Sequence, residues 1–240
     1  DWLQTHAAIP AREGVLEVDQ ASVVYIDDRG RRFRLPKNPD DQPPGPLGLG
    51  RLCREVATER DLFNCGGTFY ELPARNAGGF RRVRPVASHT LDIHDYCSYR
   101  GLLVLAGVNL ARAADNRHII RSQDGKTGLW VGAIDDLWSL GKPVGVGGPW
   151  QKTDVQAHQP SDPYLMTGYD RKRLTLMTAD PATVTMEIDL SGMGDWHPYR
   201  RFNLLGSAAI HYEFPAAFQA YWVRFLASID TRATAQLTYD

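Results

Sequence analysis

The residues best suited to acid–base chemistry lie close together between positions 88 and 96. Asp92, His94 and Tyr96 alternate with the apolar Leu91 and Ile93. Because successive side chains of a strand point to opposite faces, Leu91 and Ile93 should enter the core while the three titratable groups share the other face. A carboxylate, an imidazole and a phenol together can move protons near neutral pH. We predict that this face opens onto the largest cleft; the alternative is a solvated strand face.

A second group of residues has the composition of a sugar-binding site. Asp135 and Asp136 stand between Trp130 and Trp138. Aromatic rings stack on the apolar face of a sugar, while carboxylates act on its hydroxyls or glycosidic oxygen. Consecutive side chains diverge, so one acid needs a distant partner in the 92–95 segment. Asp135 is also placed to cap a short helical turn, which leaves Asp136 for chemistry.

The primary functional prediction is a glycoside hydrolase that cleaves a poly- or oligosaccharide with paired carboxylates. The alternative reaction is that of a polysaccharide lyase. There His94 would abstract the C5 proton of a uronate, Tyr96 would protonate the leaving oxygen, and Arg100 would neutralise the substrate carboxylate. A third alternative is a non-catalytic carbohydrate-binding module or an accessory fragment of a larger enzyme.

The predicted site therefore combines titratable groups from two segments with an arginine and loop tryptophans. The predicted catalytic residues are Asp92, His94, Asp95, Tyr96 and Asp136. The predicted substrate-binding residues are Arg100, Trp130, Trp138 and Trp150. No cofactor and no zinc site are predicted, because the Cys and His residues lack zinc-ligand spacing. Calcium stays open, since dispersed Asp oxygens can bind it without a local motif.

Strands must position these residues, because period-two alternation recurs along the chain and helical periodicity is scarce. Residues 184–190 and 210–214 alternate, and Asp124-Gly125 is a hairpin turn between strand-like runs. The predicted class is all-β, with residues 1–240 as one propeller-like domain of about five blades or part of a larger ring. The alternative is a β-sandwich at the C-terminus, over residues 183–240.

Two further expectations concern the organisation of the chain. The Pro-rich residues 36–50 cannot enter a sheet interior and predict a long loop or linker. A closed propeller hides its sheet edges, so a strand within residues 15–26 should pair in the same blade as residues 234–239.

The hairpin at residues 122–130, Ser-Gln-Asp-Gly-Lys-Thr-Gly-Leu-Trp, resembles the Asp-box of sialidase-type propellers. In that motif the Asp caps the turn and the aromatic packs between blades. Here Gly-Leu separates the Thr from the Trp, which departs from the family pattern. Segments 65–73, 94–101 and 129–138 are similar to the C-terminal part of uncharacterised bacterial propeller proteins associated with polysaccharide breakdown. The resemblance implies a propeller and a carbohydrate substrate, and it assigns no catalytic residue.

Composition excludes several classes of function. The chain has 27 Lys and Arg against 28 Asp and Glu, whereas a dedicated nucleic-acid binder is normally basic. The longest apolar run, Leu102 to Val108, is far shorter than the ~20 residues that a membrane span needs. The chain starts at Asp1, so we expect processing, or a piece of a longer protein, and an extracellular or periplasmic location. Its expected partners are a carbohydrate and the rest of a longer chain or a second copy.

Overall fold

The computed structural model describes residues 16–27, 29–39, 51–57, 60–113 and 116–240. Strands dominate this part of the chain, which confirms the all-β class. Its helices are three short 3-10 turns, Arg75–Ala77, Gly79–Arg82 and Ile134–Leu140. None of the described helices is long and apolar enough to cross a membrane. Of the predicted Pro-rich loop, residues 40–50 lie outside the described residues.

The described strands, β1 to β19 in chain order, form four sheets. In spatial order, sheet I contains β1 (Leu16–Val18), β2 (Val23–Ile26), β3 (Arg32–Leu35), β13 (Tyr164–Leu165), β18 (Trp222–Ala227), β15 (Ala182–Asp189) and β16 (Trp196–Leu204). Sheet II contains β12 (Gly145–Val155), β19 (Thr231–Tyr239), β14 (Lys172–Thr178) and β17 (Ile210–Glu213).

The two remaining sheets come from the middle of the chain. Sheet III contains β4 (Arg51–Ala57), β5 (Arg60–Cys65), β6 (Thr68–Pro73) and β7 (Arg84–Ser88). Sheet IV contains β10 (Ile119–Arg121), β11 (Gly128–Gly132), β9 (Leu102–Ala106) and β8 (Asp95–Tyr99). Sheet III is a simple antiparallel meander, whereas in sheet IV the chain places β10 outside β11 before it returns to pair with β9.

Sheets I and II share one hydrophobic core. Val184, Met186 and Ile188 of β15 are buried, as their alternation with polar residues predicts. Aromatic rings connect the two sheets, with centroid distances of 6.0 Å for Trp150–Phe225 and 5.9 Å for Tyr164–Tyr239. Burying one apolar face of each sheet against the other removes that surface from water, which stabilises both.

Sheets III and IV share a second core. It contains Phe69 of β6, Tyr96 of β8 and Trp130 of β11, and the Phe69 and Tyr96 rings meet edge to face at 5.6 Å. The predicted hairpin at Asp124-Gly125 connects β10 to β11. The Asp124 carboxylate accepts hydrogen bonds from the Ser122 hydroxyl at 2.6 Å and the Lys126 amide at 3.1 Å. These bonds close the turn.

The predicted pairing of the two ends of the chain is wrong. Strands β1 and β2 lie in sheet I, whereas β19 lies in sheet II. The physical reason is that β19 pairs along both of its edges, with β12 and with β14, so it has no edge left for another strand. Sheet I extends instead through a parallel pairing of β3 with β13.

Candidate functional site

The predicted catalytic segment is only partly arranged as its alternation suggests. Leu91 and Ile93 are buried, as predicted, and Asp92 is exposed while His94 is half-buried. Strand β8 begins only at Asp95, and the alternation changes phase between positions 94 and 95. The segment before β8 is therefore an irregular lead-in rather than part of the strand.

Tyr96 does not share a face with Asp92 and His94, and that prediction is wrong. Its side chain is only 3% exposed and points into the core of sheets III and IV. Its single O–H lies between two acceptors, the carbonyl oxygens of Leu52 at 2.7 Å and Leu62 at 2.6 Å, and can donate to either of them. Burial raises the pKa of Tyr96 well above its usual range. The phenol therefore anchors β8 to sheet III and is not placed to protonate a leaving group.

The other charged residues of this segment make local contacts. Asp92 accepts a hydrogen bond from the Asn109 amide at 2.9 Å, and Asp95 lies 3.4 Å from the Arg54 guanidinium. Arg100 is exposed and lies over the Tyr99 ring at 5.4 Å. None of these side chains lines the clefts beside the 134–140 helix, His89 and the β2–β3 hairpin. That Asp92 and His94 open onto the largest cleft stays a prediction.

Only one of the three predicted tryptophan platforms is accessible. Trp130 is fully buried, with its ring stacked on His118 at 5.0 Å, and Trp150 is buried in the core of sheets I and II. These two were predicted to bind substrate, but neither indole can meet a sugar ring. Trp138 is 69% exposed. The tryptophans differ because the first two occupy inward positions of strands, which the sequence alone does not distinguish.

The acidic pair has exchanged the roles that the sequence suggested. The Asp136 carboxylate accepts the backbone N–H of Ala133 at 2.7 Å, so Asp136 and not Asp135 closes the start of the 134–140 helix. Such a side chain satisfies a backbone donor that the helix itself leaves unpaired. Asp136 is thus a structural residue, and Asp135 is left to face a cleft.

That cleft, here called the Trp138 cleft, lies between sheet III and the 134–140 helix. It is a shallow depression of about 10 Å³ with an apolar wall and three carboxylates, so a sugar would lie across its rim against Trp138 rather than enter it. The lining residues are Val56, Asp61, Leu62, Glu71, Val86, Ile134, Asp135, Leu137 and Trp138. Glu71 is held by Arg84 at 2.8 Å. Leu137 is 1% exposed and anchors the helix, so the adjacent Trp138 is held at the rim on a packed element.

His89 is a buried histidine that sequence reasoning did not single out. It borders a cleft of about 300 Å³, together with Arg112 and Asn116. Its Nε2 faces the Asn64 side-chain oxygen at 3.0 Å, and its Nδ1 accepts the Leu91 N–H at 3.2 Å. Burial lowers the pKa of His89 to about 4. The ring is therefore neutral at pH 7, with its proton on Nε2. The only sequence signal was the density of polar residues around it.

The described residues contain no group of three or more His, Cys, Asp or Glu side chains placed to hold a metal ion. All three cysteines are thiols. The sequence matches no protein-family model, and no curated protein is significantly similar to it. A functional argument for this chain therefore depends on the geometry of its clefts.

Proposed function

We propose that this chain binds carbohydrate at the Trp138 cleft. The observation that carries the proposal is the exposure of Trp138 beside a cleft that also presents Asp61, Glu71 and Asp135. An indole face can stack on the apolar face of a pyranose, and carboxylates accept hydrogen bonds from its hydroxyls. Binding without catalysis is favoured, because Tyr96 and Asp136 are committed to structural hydrogen bonds.

Hydrolysis of a glycosidic bond at the same cleft is the second candidate function. It is favoured by the carboxylates of Asp61, Glu71 and Asp135 on one cleft, since hydrolysis needs one acid and one base or nucleophile. The lyase alternative gains no support, because the Tyr96 hydroxyl is buried and its hydrogen is taken up by a backbone carbonyl oxygen, of Leu52 or Leu62.

The binding test is a titration of the protein with neutral and acidic oligosaccharides, measured by calorimetry. We expect Trp138→Ala to weaken binding about tenfold or more, because aromatic contacts contribute a large share of binding energy. The matched control is Tyr99→Ala, which removes another exposed ring, 61% accessible, from sheet IV. Equal affinities of wild type and Trp138→Ala for every ligand would rule out this cleft.

The same mixtures distinguish a binding module from an enzyme. New reducing ends that disappear in Asp135→Asn would establish hydrolysis, and new ultraviolet absorbance would establish a lyase. A bound oligosaccharide recovered intact would support the binding module.

We also propose a finer description of the fold: sheets I and II form a β-sandwich, and sheets III and IV are neighbouring blades of a larger ring. Sheet IV supports the assignment to a ring because both of its faces are apolar. One face packs in the core shared with sheet III, and the outward face carries exposed apolar side chains. Exposed fractions there are 61% for Ile120, 61% for Tyr99 and 44% for Leu102. A blade inside a ring packs against a neighbour on each face. The full-length open reading frame tests this, since it should encode further four-stranded units.

A further inference from the structure

A groove lined by arginines runs between the β2–β3 hairpin, residues 75–81 and the loop after β15. Two clefts form it, of about 210 Å³ and about 330 Å³. They share three lining residues, Arg31, Phe33 and Arg81, so they are adjacent. We call the pair the arginine groove. It is separate from the Trp138 cleft, with which it shares no lining residue.

The groove carries an excess of positive charge. Five arginines and two aspartates line it, and no lysine is among its described lining residues. The charged lining residues are Arg29, Arg31, Arg32, Arg75, Arg81, Asp27 and Asp189. Guanidinium groups bind carboxylate and sulfate through two parallel hydrogen bonds, a geometry that lysine does not offer.

Both carboxylates in the groove are already satisfied by the chain. Asp27 accepts the backbone N–H groups of Arg29 and Arg31 at 2.9 and 2.8 Å, as well as Nε of Arg31 at 2.7 Å. Asp189 is 1% exposed and accepts three backbone N–H groups of the loop that follows it, at 2.7–3.0 Å. These acids organise the walls of the groove. Asp27 pairs with Arg31 at 2.7 Å, and Asp162, which does not line the groove, pairs with Arg32 at 3.2 Å, so two of the five arginines already have a carboxylate partner.

Arg81 is held on a packed element. The Arg81 side chain donates to the carbonyl oxygen of Met193 at 2.9 Å, which is a neutral acceptor. The Arg81 backbone carbonyl accepts the Trp222 indole N–H at 2.8 Å, and the Arg82 carbonyl accepts the Tyr221 hydroxyl at 2.7 Å. Arg81 is therefore fixed against sheet I. Its bond to the Met193 carbonyl does not neutralise its charge, because that acceptor is uncharged. A preorganised cation loses less conformational entropy when an anion binds.

Aromatic side chains complete the groove. Tyr25 and Phe80 stack with centroids 3.7 Å apart, and both line it. Trp196 lines the other end, where the Arg224 guanidinium lies 4.3 Å from its ring. Phe80 is only 8% exposed, so Tyr25 and Trp196, which are half-buried, offer the ring surface that a sugar can contact. Such rings near arginines suit sugar rings that carry anionic substituents.

We infer that the arginine groove binds an acidic oligosaccharide, whose carboxylate or sulfate groups pair with Arg29 and Arg81. Several arginines distributed along two adjacent clefts suit repeated anionic groups better than a single ion. Nucleic acid is the competing polyanion, and single-stranded DNA is therefore one of the probes. This site does not depend on the Trp138 cleft.

The test uses calorimetry with four probes: an oligogalacturonate, a dextran sulfate oligosaccharide, neutral dextran of similar length, and single-stranded DNA. We expect binding of one or both acidic sugars, weaker at higher salt, and no binding of neutral dextran in the groove. Preference for the galacturonate identifies carboxylate as the recognised group, and preference for dextran sulfate identifies sulfate ester.

Arg81→Ala and Arg29→Ala are each expected to weaken binding of the acidic sugar about tenfold, the loss of one charge-assisted contact. The matched control is Arg173→Ala, which removes an arginine of sheet II that pairs with Asp240 at 2.7 Å. Trp138→Ala should keep this binding. Thermal melts check that each variant is folded, and Arg29 offers an exposed position if Arg81→Ala is unstable.

Three outcomes would overturn the inference. The first is absence of binding to both acidic sugars. The second is binding that neither arginine variant weakens. The third is a higher affinity for DNA than for either acidic sugar, which would assign the groove to nucleic acid.

Discussion

His89 shows how one buried side chain sets the pH response of the protein. Its pKa is lowered to about 4 by burial, while the unfolded chain has a histidine pKa of about 6.5. Between these values the unfolded chain binds a proton that the native state excludes. The free energy of unfolding therefore falls as the pH falls from 6.5 towards 4. Protonation of Nδ1 would also remove the acceptor of the Leu91 N–H.

We expect the wild type to be about 2 kcal/mol less stable at pH 5 than at pH 8 because of this group. In His89→Gln that part of the pH dependence should be absent, whatever the variant's stability at pH 8. Urea unfolding at several pH values measures it, and His197→Gln, at an exposed position, is the control. A pH dependence identical in wild type and His89→Gln would contradict the assignment.

At the scale of the element, the 134–140 helix is the support of the Trp138 cleft. Asp136 holds its start through the Ala133 N–H, and Leu137 packs it against sheets III and IV. Asp135 faces the cleft instead. Two adjacent acids therefore have different functions, which makes them a matched pair for mutation.

We expect Asp136→Ala to lower the free energy of unfolding by about 1 kcal/mol, the usual cost of losing such a cap. Sugar binding at Trp138 should weaken in parallel, because the helix that carries the indole is less well fixed. Asp135→Ala should leave stability within about 0.5 kcal/mol of wild type and should affect binding alone. Denaturant unfolding and calorimetry separate the two effects. A larger stability loss for Asp135→Ala than for Asp136→Ala would reverse the roles assigned to them.

At the scale of the whole molecule, buried tyrosines lie where the sheets meet. Tyr164 belongs to sheet I and Tyr239 to sheet II, and their rings approach to 5.9 Å. The Tyr239 hydroxyl donates to the Leu165 carbonyl at 2.8 Å. The Tyr164 hydroxyl is buried, and no described residue pairs with it. Burial raises the pKa of both phenols well above the usual range. The Tyr239 hydroxyl therefore has a hydrogen-bond partner, and the Tyr164 hydroxyl has none among the described residues.

We expect Tyr239→Phe to cost about 1 kcal/mol of stability, because a buried hydrogen bond is lost. Tyr164→Phe should be neutral or stabilising, since it removes a buried hydroxyl that no residue satisfies. Thermal and urea unfolding compare the two variants, which differ from wild type by one oxygen each. A loss of 1 kcal/mol or more in Tyr164→Phe would show that its hydroxyl has a bound partner.

The sequence by itself determined the all-β class, the Asp124-Gly125 hairpin, the helical turn near residue 135 and the burial of Leu91 and Ile93. Each follows from local alternation or turn chemistry, which acts within a few residues. Only the tertiary structure decided which face of a strand meets another sheet. Tyr96 turns inward because carbonyls of Leu52 and Leu62, distant in sequence, accept its hydroxyl.

Contacts between residues distant in sequence also decide where the two candidate binding sites lie. Trp130 and Trp138 look alike in sequence, yet packing of sheets III and IV buries one and leaves the other exposed. The arginine groove assembles side chains from the β2–β3 hairpin with Arg75 and Arg81. Nothing within either segment indicates the other, because their proximity arises from the docking of residues 75–82 onto sheet I. Long-range packing, which local patterns do not encode, therefore determines where this protein can bind a ligand.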